Sequence, residues 1–156
     1  MVAAARTLIK CGCTDRDLYL FDTYEGMPRP GTLDKDFMGM DGAREFEAKR
    51  TGEDSSDFCF ASLEDVKNAL FSTDYPRARI HFVTGKVENT IPLQAPESIS
   101  LLRLDTDWYE STKHELIHLF PKLCPGGVLI IDDYGHGGAA ERRSTNTSAT
   151  NPSQFY

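Results

Sequence analysis

The sequence predicts an α/β domain in which a mostly parallel sheet is covered by helices on both faces. Two observations support this class. Short apolar runs alternate along the chain with segments that favour helix, and the runs read as continuous Val, Ile and Leu. Continuous apolar strands are typical of parallel sheets that are buried on both faces.

The first part of the chain predicts one helix, one strand and a long insertion. Residues 2–11 are rich in helix formers, and Gly12 is a suitable stop. DLYLFD (17–22) follows as a buried strand. Residues 26–57 mix Gly, Pro, Asp and Met in irregular order, which predicts a long mobile loop with one short helix near 41–50.

A third helix is predicted where Ser62 and Asp65 form a capping-box pattern, and it continues to about Phe71. The remaining strands are predicted at 79–83, 100–105 and 127–132.

Between the last two strands, Thr112 and Glu115 form a second capping-box pattern, which predicts a helix that ends near Leu123. Pro125-Gly126-Gly127 is predicted to turn the chain into the final strand. The domain is expected to cover residues 1–136. Residues 137–156 have no apolar period and are predicted to be disordered.

Composition narrows the class of protein. The chain has 24 acidic and 17 basic residues, a net charge of −7 and no basic stripe, so nucleic acid and anionic membranes are poor partners. No apolar run approaches the roughly 20 residues of a membrane-spanning helix, and residues 1–10 do not resemble a signal peptide. The four cysteines lack zinc-type spacing and are interpreted as free thiols of a cytoplasmic protein.

Carboxylates collect where three predicted strands end. The residues concerned are Asp22, then Asp105 and Asp107, then Asp132 and Asp133. Because reactive groups gather at the carboxyl ends of parallel strands, the last four are expected to converge. Crowded carboxylates repel one another unless a cation neutralises them, and hard oxygen ligands suit Mg²⁺. The alternative is that each aspartate only caps the helix or turn that follows it.

Asp22 has two interpretations. An acid at the end of a Rossmann-like second strand often accepts hydrogen bonds from the ribose hydroxyls of a nucleotide cofactor. No glycine-rich loop precedes this strand in the sequence. Capping or solvation of Asp22 therefore stays equally open.

The segment 114–118 (HELIH) matches the HExxH motif of zinc hydrolases. Its helical wheel argues against that function, because both histidines point away from the apolar stripe and are expected to be exposed. That stripe consists of Leu116, Leu119, Phe120 and Leu123. His136 lies among the strand-end acids, so no third ligand is evident, and a zinc hydrolase stays a distant alternative.

Four segments together resemble the macrocin O-methyltransferase family. They are DLYLFDTYEGMP, RIHFVTGKVENTIP, LLRLDTDWYESTKHEL and LCPGGVLIIDDYGH, and the likeness runs from residue 1 to about His136. Members of this family have the class I, Rossmann-like methyltransferase fold. They transfer a methyl group from S-adenosylmethionine to sugar hydroxyls in macrolide and aminocoumarin antibiotics.

The resemblance implies a role for each acid. Asp105, Asp132 and Asp133 would hold Mg²⁺, Asp107 would be the general base, and Asp22 would bind the ribose of S-adenosylmethionine. Residues 26–57 would include a lid over the active site. The implied partner is a small-molecule hydroxyl acceptor, a sugar or glycosylated natural product. A homo-oligomer is allowed by the sequence without being required.

Two departures from the family pattern lead to further expectations. The family carries a first strand and a glycine-containing loop just before the segment that matches residues 1–11, and this sequence starts after them. That strand would lie between the Asp22 strand and the Asp105 strand, so a gap or an improvised contact is expected there, with low stability and no useful methyl transfer by this chain. A non-catalytic Rossmann-like remnant is therefore the rival interpretation. At the other end, a single-base deletion in a family-like coding sequence reproduces residues 137–148, which suggests a frameshifted tail.

Overall fold

The computed structural model describes residues 1–34 and 42–132, which contain five α-helices and four β-strands. In chain order these are α1 (Val2–Lys10), β1 (Leu18–Asp22), α2 (Gly42–Ala48), α3 (Leu63–Phe71), β2 (Ile80–Thr84), α4 (Val87–Thr90), β3 (Ile99–Leu104), α5 (Tyr109–Leu119) and β4 (Leu123–Ile131). None of the helices in these ranges is long and apolar enough to span a membrane. The predicted tail, 137–156, lies outside the described residues.

The four strands form two separate parallel pairs. Leu18 to Asp22 of β1 lie opposite Ile80 to Thr84 of β2, and β3 pairs with β4. No strand among the described residues joins β1 to β3. The predicted parallel α/β class is confirmed, and within the described residues β1 and β3 share no backbone ladder.

Two hydrophobic clusters lie on these pairs. The first joins α1 and α3 to one face of the β1–β2 pair and includes Ala5, Leu18, Leu70, Tyr75 and Ile80. The second is built from α4, α5 and the β3–β4 pair and includes Val87, Ile91, Leu102, Leu104, Leu116 and Leu119. Phe21 of β1 packs against this second cluster, so the two faces of β1 contact the two different clusters.

The β3–β4 pair is covered on one face only within the described residues. Leu101, Val128 and Ile130 lie on its other face, with 51%, 52% and 42% of their surfaces exposed. Successive side chains of a strand point to opposite faces, which is why Leu102 and Leu129 face the core while their neighbours do not.

The predicted starts and stops of the first and third helices are confirmed. Gly12 follows α1 with a φ of +69°, a left-handed conformation that ends a helix at little cost in glycine. At the start of α3, the Ser62 hydroxyl oxygen accepts the Asp65 N–H at 3.1 Å. The same hydroxyl donates to the Asp65 carboxylate at 2.6 Å.

The predicted turn at Pro125-Gly126-Gly127 is wrong, because these residues lie inside β4. The pairing register moves from Ile99 opposite Leu123 to Leu101 opposite Val128, so β4 uses five residues where β3 uses two. Gly126 has a φ of +80°, and this left-handed residue lets the strand bulge without ending.

The insertion at 26–57 contains the predicted short helix, which is α2. Residues 35–41 lie outside the described ranges. Arg50 and Ser56 form an antiparallel bridge after α2, and Ser56 is fully buried. The mobility expected of this insertion stays a prediction.

Candidate active site

The structure brings Asp105 and Asp132 together. Asp105 follows the last residue of β3, and Asp132 follows the last residue of β4. The Asp132 N–H donates to the Leu104 carbonyl at 2.9 Å, which extends the ladder to the point where both acids leave it. Because the strands are parallel and adjacent, both side chains emerge at the same edge. Asp133 lies outside the described residues.

Arg103, which the sequence analysis missed, bridges the two acids. Its Nη1 lies 2.5 Å from Asp105 Oδ2, and its Nη2 forms an ion pair with the Asp132 carboxylate. Arg103 and Asp105 are two residues apart on an extended chain, so they share one side of it. That spacing was the signal that could have identified Arg103. The guanidinium places one positive charge between two carboxylates.

The environment of Asp105 disfavours its ionised form. Burial raises the pKa of the Asp105 carboxyl above its ordinary value of 3.8, and a side-chain hydrogen bond with Asp132 also raises it. The Arg103 guanidinium lowers the pKa of Asp105 but does not reverse the shift. The site therefore disfavours the ionised Asp105, which is the condition that a bound cation relieves.

Asp105→Asn is expected to stabilise the fold at pH 7 by roughly 0.2–1 kcal/mol, a range that allows for solvent screening. A raised pKa in the folded state means that the fold prefers the protonated carboxyl. Folding is therefore less favourable once pH rises through that pKa and the carboxyl ionises. The gain should therefore be present at pH 7 and disappear below the ordinary value of 3.8. Denaturant unfolding at both pH values measures it, with the exposed Asp15→Asn as control. A destabilised Asp105→Asn at pH 7 would contradict this account of the site.

Asp107 lies two residues after Asp105, in the turn before α5, and is half-buried. Its charge acts on Cys59, whose thiol pKa is raised by burial first and by the Asp107 carboxylate second. Asp105 contributes to the same shift. Cys59, which sequence reasoning did not connect with the acids, therefore marks where the segment after α2 approaches them.

Buried polar side chains of α5 hold the turn that carries Asp105 and Asp107. The Thr106 hydroxyl donates to Glu115 Oε2 at 2.7 Å and lies 2.8 Å from the Thr112 hydroxyl. The capping box predicted for Thr112 and Glu115 is wrong, because α5 begins earlier, at Tyr109. Both residues lie inside the helix, are buried and face the turn. They share a face because residues three apart on a helix are neighbours.

Asp22 ends β1, on the other strand pair. Its Oδ1 accepts the Tyr24 N–H at 2.8 Å, and its carbonyl accepts the Gly85 N–H at 3.0 Å. The residue is exposed at the carboxyl end of its strand. An exposed carboxylate in this position suits hydrogen bonds from ribose hydroxyls, and the turn contact with Tyr24 fits the capping alternative as well.

His114 and His118 are half-buried, so the prediction that both are exposed is wrong. His114 Nε2 lies 3.0 Å from the Ile91 carbonyl oxygen, and the two rings are 4.4 Å apart. Burial lowers the pKa of His118, and the charge of His114 lowers it further. The physical reason is that α4 packs against α5, which covers a side that the helical wheel assigned to solvent.

Over residues 1–34 and 42–132, no three His, Cys, Asp or Glu side chains form a group able to hold a metal ion. The histidine pair therefore has no third ligand there, which gives the zinc interpretation no support. Of the three acids predicted to hold Mg²⁺, the same ranges include Asp105 and Asp132. The roles of these acids stay predictions.

Comparison with known proteins gives a consistent set of matches. The sequence model described as Macrocin-O-methyltransferase (TylF) matches residues 1–149. Demethyldecarbamoylnovobiocin O-methyltransferase of Streptomyces niveus is 31% identical over 120 residues, 77% of this chain and 42% of the relative. The 8-demethyl-8-(2,3-dimethoxy-alpha-L-rhamnosyl)-tetracenomycin-C 4'-O-methyltransferase of Streptomyces olivaceus is 32% identical over 123 residues, 79% of this chain and 44% of the relative.

A third relative, mycinamicin III 3''-O-methyltransferase of Micromonospora griseorubida, is 29% identical over 131 residues, 83% of this chain and 49% of the relative. The chain thus spans less than half the length of these three curated relatives. Among solved structures, the O-methyltransferase NovP superposes with a TM-score of 0.80 at 24% identity, over 99% of this chain and 60% of NovP. The calicheamicin methyltransferase CalS11 gives 0.64 at 22% identity, over 96% and 57%. These similarities establish the fold.

Proposed function

The chain belongs to the macrocin O-methyltransferase family (TylF), and we propose that it is part of an S-adenosylmethionine-dependent, magnesium-assisted O-methyltransferase of the cytoplasm. The proposed acceptor is a hydroxyl of a sugar or glycosylated natural product. The observation that carries the proposal is the meeting of Asp105 and Asp132 at adjacent strand ends, with Asp107 in the turn that follows.

The acid pair fits a divalent cation. Two carboxylates share one guanidinium, and the pKa of the Asp105 carboxyl is raised by burial first and by its hydrogen bond with Asp132 second. Their oxygens are the hard ligands that Mg²⁺ prefers. We assign Asp105 and Asp132 as residues that would hold the ion, together with Asp133 on the basis of the family resemblance.

Asp22 and Asp107 would serve the reaction in different ways. The exposed Asp22 carboxylate would accept hydrogen bonds from the two ribose hydroxyls and so orient the methyl donor. Asp107 would accept the proton of the acceptor hydroxyl as that oxygen becomes methylated. When bound, S-adenosylmethionine supplies the methyl group and Mg²⁺ lowers the pKa of the acceptor hydroxyl.

We further propose that residues 1–156 alone do not transfer methyl groups at a useful rate. Within the described ranges, β1 and β3 are not hydrogen-bonded to each other or to a shared strand. Asp22 and the Asp105–Asp132 pair therefore lie on two sheets without a common backbone ladder to fix their separation. A non-catalytic Rossmann-like remnant is the alternative for this chain, and the separation of the sheets favours it.

A chimera tests the proposal. In it, residues 1–132 replace the matching segment of the Streptomyces niveus relative, which supplies the rest of a full-length enzyme. We expect methyl transfer from S-adenosylmethionine to demethyldecarbamoylnovobiocin by the chimera, loss of that activity with EDTA and recovery with Mg²⁺. Residues 1–156 alone should show no turnover. An active chimera that is insensitive to EDTA would reject the magnesium assignment.

Binding to the chain itself separates the methyltransferase from the remnant. We expect calorimetry to detect Mg²⁺ binding, and Asp132→Asn to weaken it by about tenfold or more, because affinity depends on the number of charged ligands. Asp57→Asn, an exposed aspartate in the insertion, is the matched control. Equal Mg²⁺ binding by Asp132→Asn and the unmodified chain would exclude Asp132 as a ligand.

A further inference from the structure

Residues 24–34, here called the strap, lead away from the end of β1 and are tied to the segment after α2. The Met27 N–H donates to the Phe58 carbonyl at 2.9 Å, and the buried Ser56 hydroxyl donates to the Met27 carbonyl at 2.8 Å. Gly26 makes this contact sterically feasible, since a Cβ there would lie 1.8 Å from the Ser56 carbonyl oxygen. The start of the strap is therefore held by backbone contacts.

The other end of the strap contacts the first residues of α5. Asp34 is 3% exposed, and its Oδ1 accepts the Tyr109 N–H at 2.6 Å while its Oδ2 accepts the Gly31 N–H at 2.7 Å. The Trp108 indole N–H donates to the Pro28 carbonyl at 2.8 Å. These contacts join segments 75 and 80 residues apart in the sequence.

The Asp34 carboxylate, which is buried and accepts two backbone N–H groups, has a structural role at the start of α5. The first N–H groups of a helix have no acceptor within the helix, and a negative charge is favourable at that end. Trp108, the N-cap residue of α5, makes no side-chain capping bond. Asp34 therefore caps α5 from a distant segment, and it does so at the residue that lies two positions after Asp107.

We propose that Asp34 is a positioning residue for Asp107. By holding the Tyr109 N–H, Asp34 fixes the start of α5 and with it the backbone of the turn at 105–108, while Thr106 is held from inside by Glu115. Asp34 touches none of the reacting atoms in this proposal. The inference rests on the proposed function, in which Asp107 accepts the proton of the acceptor hydroxyl.

Hydrogen–deuterium exchange and tryptophan fluorescence of the full chain test the contact without any need for activity. Asp34→Ala should speed exchange of the amides at 105–112 by about tenfold or more, the effect of losing a hydrogen bond to a charged group. Exchange in β2 should not change. Trp108 is the only tryptophan in the chain, so its fluorescence should become more accessible to acrylamide in the same variant.

Asp34→Asn keeps one carbonyl oxygen as acceptor but places an amide N–H group against another N–H, so its effect should be smaller than that of Asp34→Ala. Asp57→Asn, which is exposed and in the same insertion, should change neither exchange nor fluorescence. Unchanged exchange at 105–112 would overturn the proposal. Equal acceleration in β2 would overturn it too, because Asp34 would then be a global stabiliser.

The chimera gives the functional half of the test. Asp34→Asn should lower kcat while leaving the KM for S-adenosylmethionine near its original value, because the residue acts through Asp107 and not on the methyl donor. Faster exchange at 105–112 with an unchanged kcat would overturn the positioning role. An inactive parent chimera would count against the proposed function instead, and the exchange result would still decide whether Asp34 fixes the turn.

Discussion

Asp107→Asn should lower kcat of the chimera by roughly 10²–10⁴-fold, the usual contribution of a general base. An asparagine amide has nearly the shape of the carboxylate but cannot take up the proton of the acceptor hydroxyl. The KM for S-adenosylmethionine should stay close to its original value, because the lost interaction belongs to the transition state. Initial rates at varied S-adenosylmethionine concentration, with saturating acceptor and Mg²⁺ and over a range of pH, measure kcat and this KM.

Glu110→Gln is the matched control for this experiment. Glu110 is exposed, lies three residues from Asp107 in the first turn of α5, and forms a loose ion pair with Lys113, at 3.7 Å. Removal of its charge should leave kcat nearly unchanged. If Asp107→Asn retained most of the activity while Glu110→Gln did not, the base would have to be sought elsewhere.

The second large expected effect is on thermal stability. Residues 1–156 alone should unfold below about 45 °C, the lower end of the usual range for mesophilic domains. A two-stranded unit leaves both of its outer edges without backbone partners, and each buried N–H or C=O group left unpaired costs on the order of 1–3 kcal/mol. Here two such units share side-chain packing but no backbone ladder within the described residues. Within the described residues, Leu101, Val128 and Ile130 also leave one face of β3–β4 about half exposed.

Circular dichroism melts of the chain and of the chimera, at equal concentration, measure this difference. The chimera should unfold at a clearly higher temperature, because the relative supplies the remainder of its fold. Light scattering should show aggregation of the isolated chain near its midpoint, since unpaired strand edges invite pairing between molecules. A cooperative transition well above 50 °C, together with micromolar S-adenosylmethionine binding, would show that the paired units are sufficient by themselves.

Local sequence patterns were enough to predict most of the helices and strands, and the sheet edge at which the aspartates gather. The apolar runs around Asp22, Asp105 and Asp132 gave strands at nearly the observed positions, because a buried strand is recognisable from its own residues. The Ser62 capping box and Gly12 were equally local, since each depends on neighbours within three or four residues. The gap between the strand pairs followed from the family resemblance.

Contacts between segments distant in the sequence decided the features that local sequence patterns did not predict. Whether Thr112 and Glu115 cap a helix or lie buried inside it depends on where Thr106 sits, and a four-residue pattern is the same in both cases. The burial of His114 depends on Ile91, which is 23 residues earlier in the chain. Helical periodicity gives the direction of a side chain, whereas its exposure depends on what packs there.

The candidate active site also combines features that the sequence predicts with contacts that only the tertiary structure reveals. The sequence alone determined that Asp105 and Asp132 leave adjacent strands, since parallel pairing fixes which ends meet. Only the tertiary structure placed the Arg103 guanidinium between them and the Asp34 carboxylate on the Tyr109 N–H. Such contacts depend on the folded positions of separate segments, and a buried charge can be satisfied by any correctly placed donor, whatever its distance along the chain.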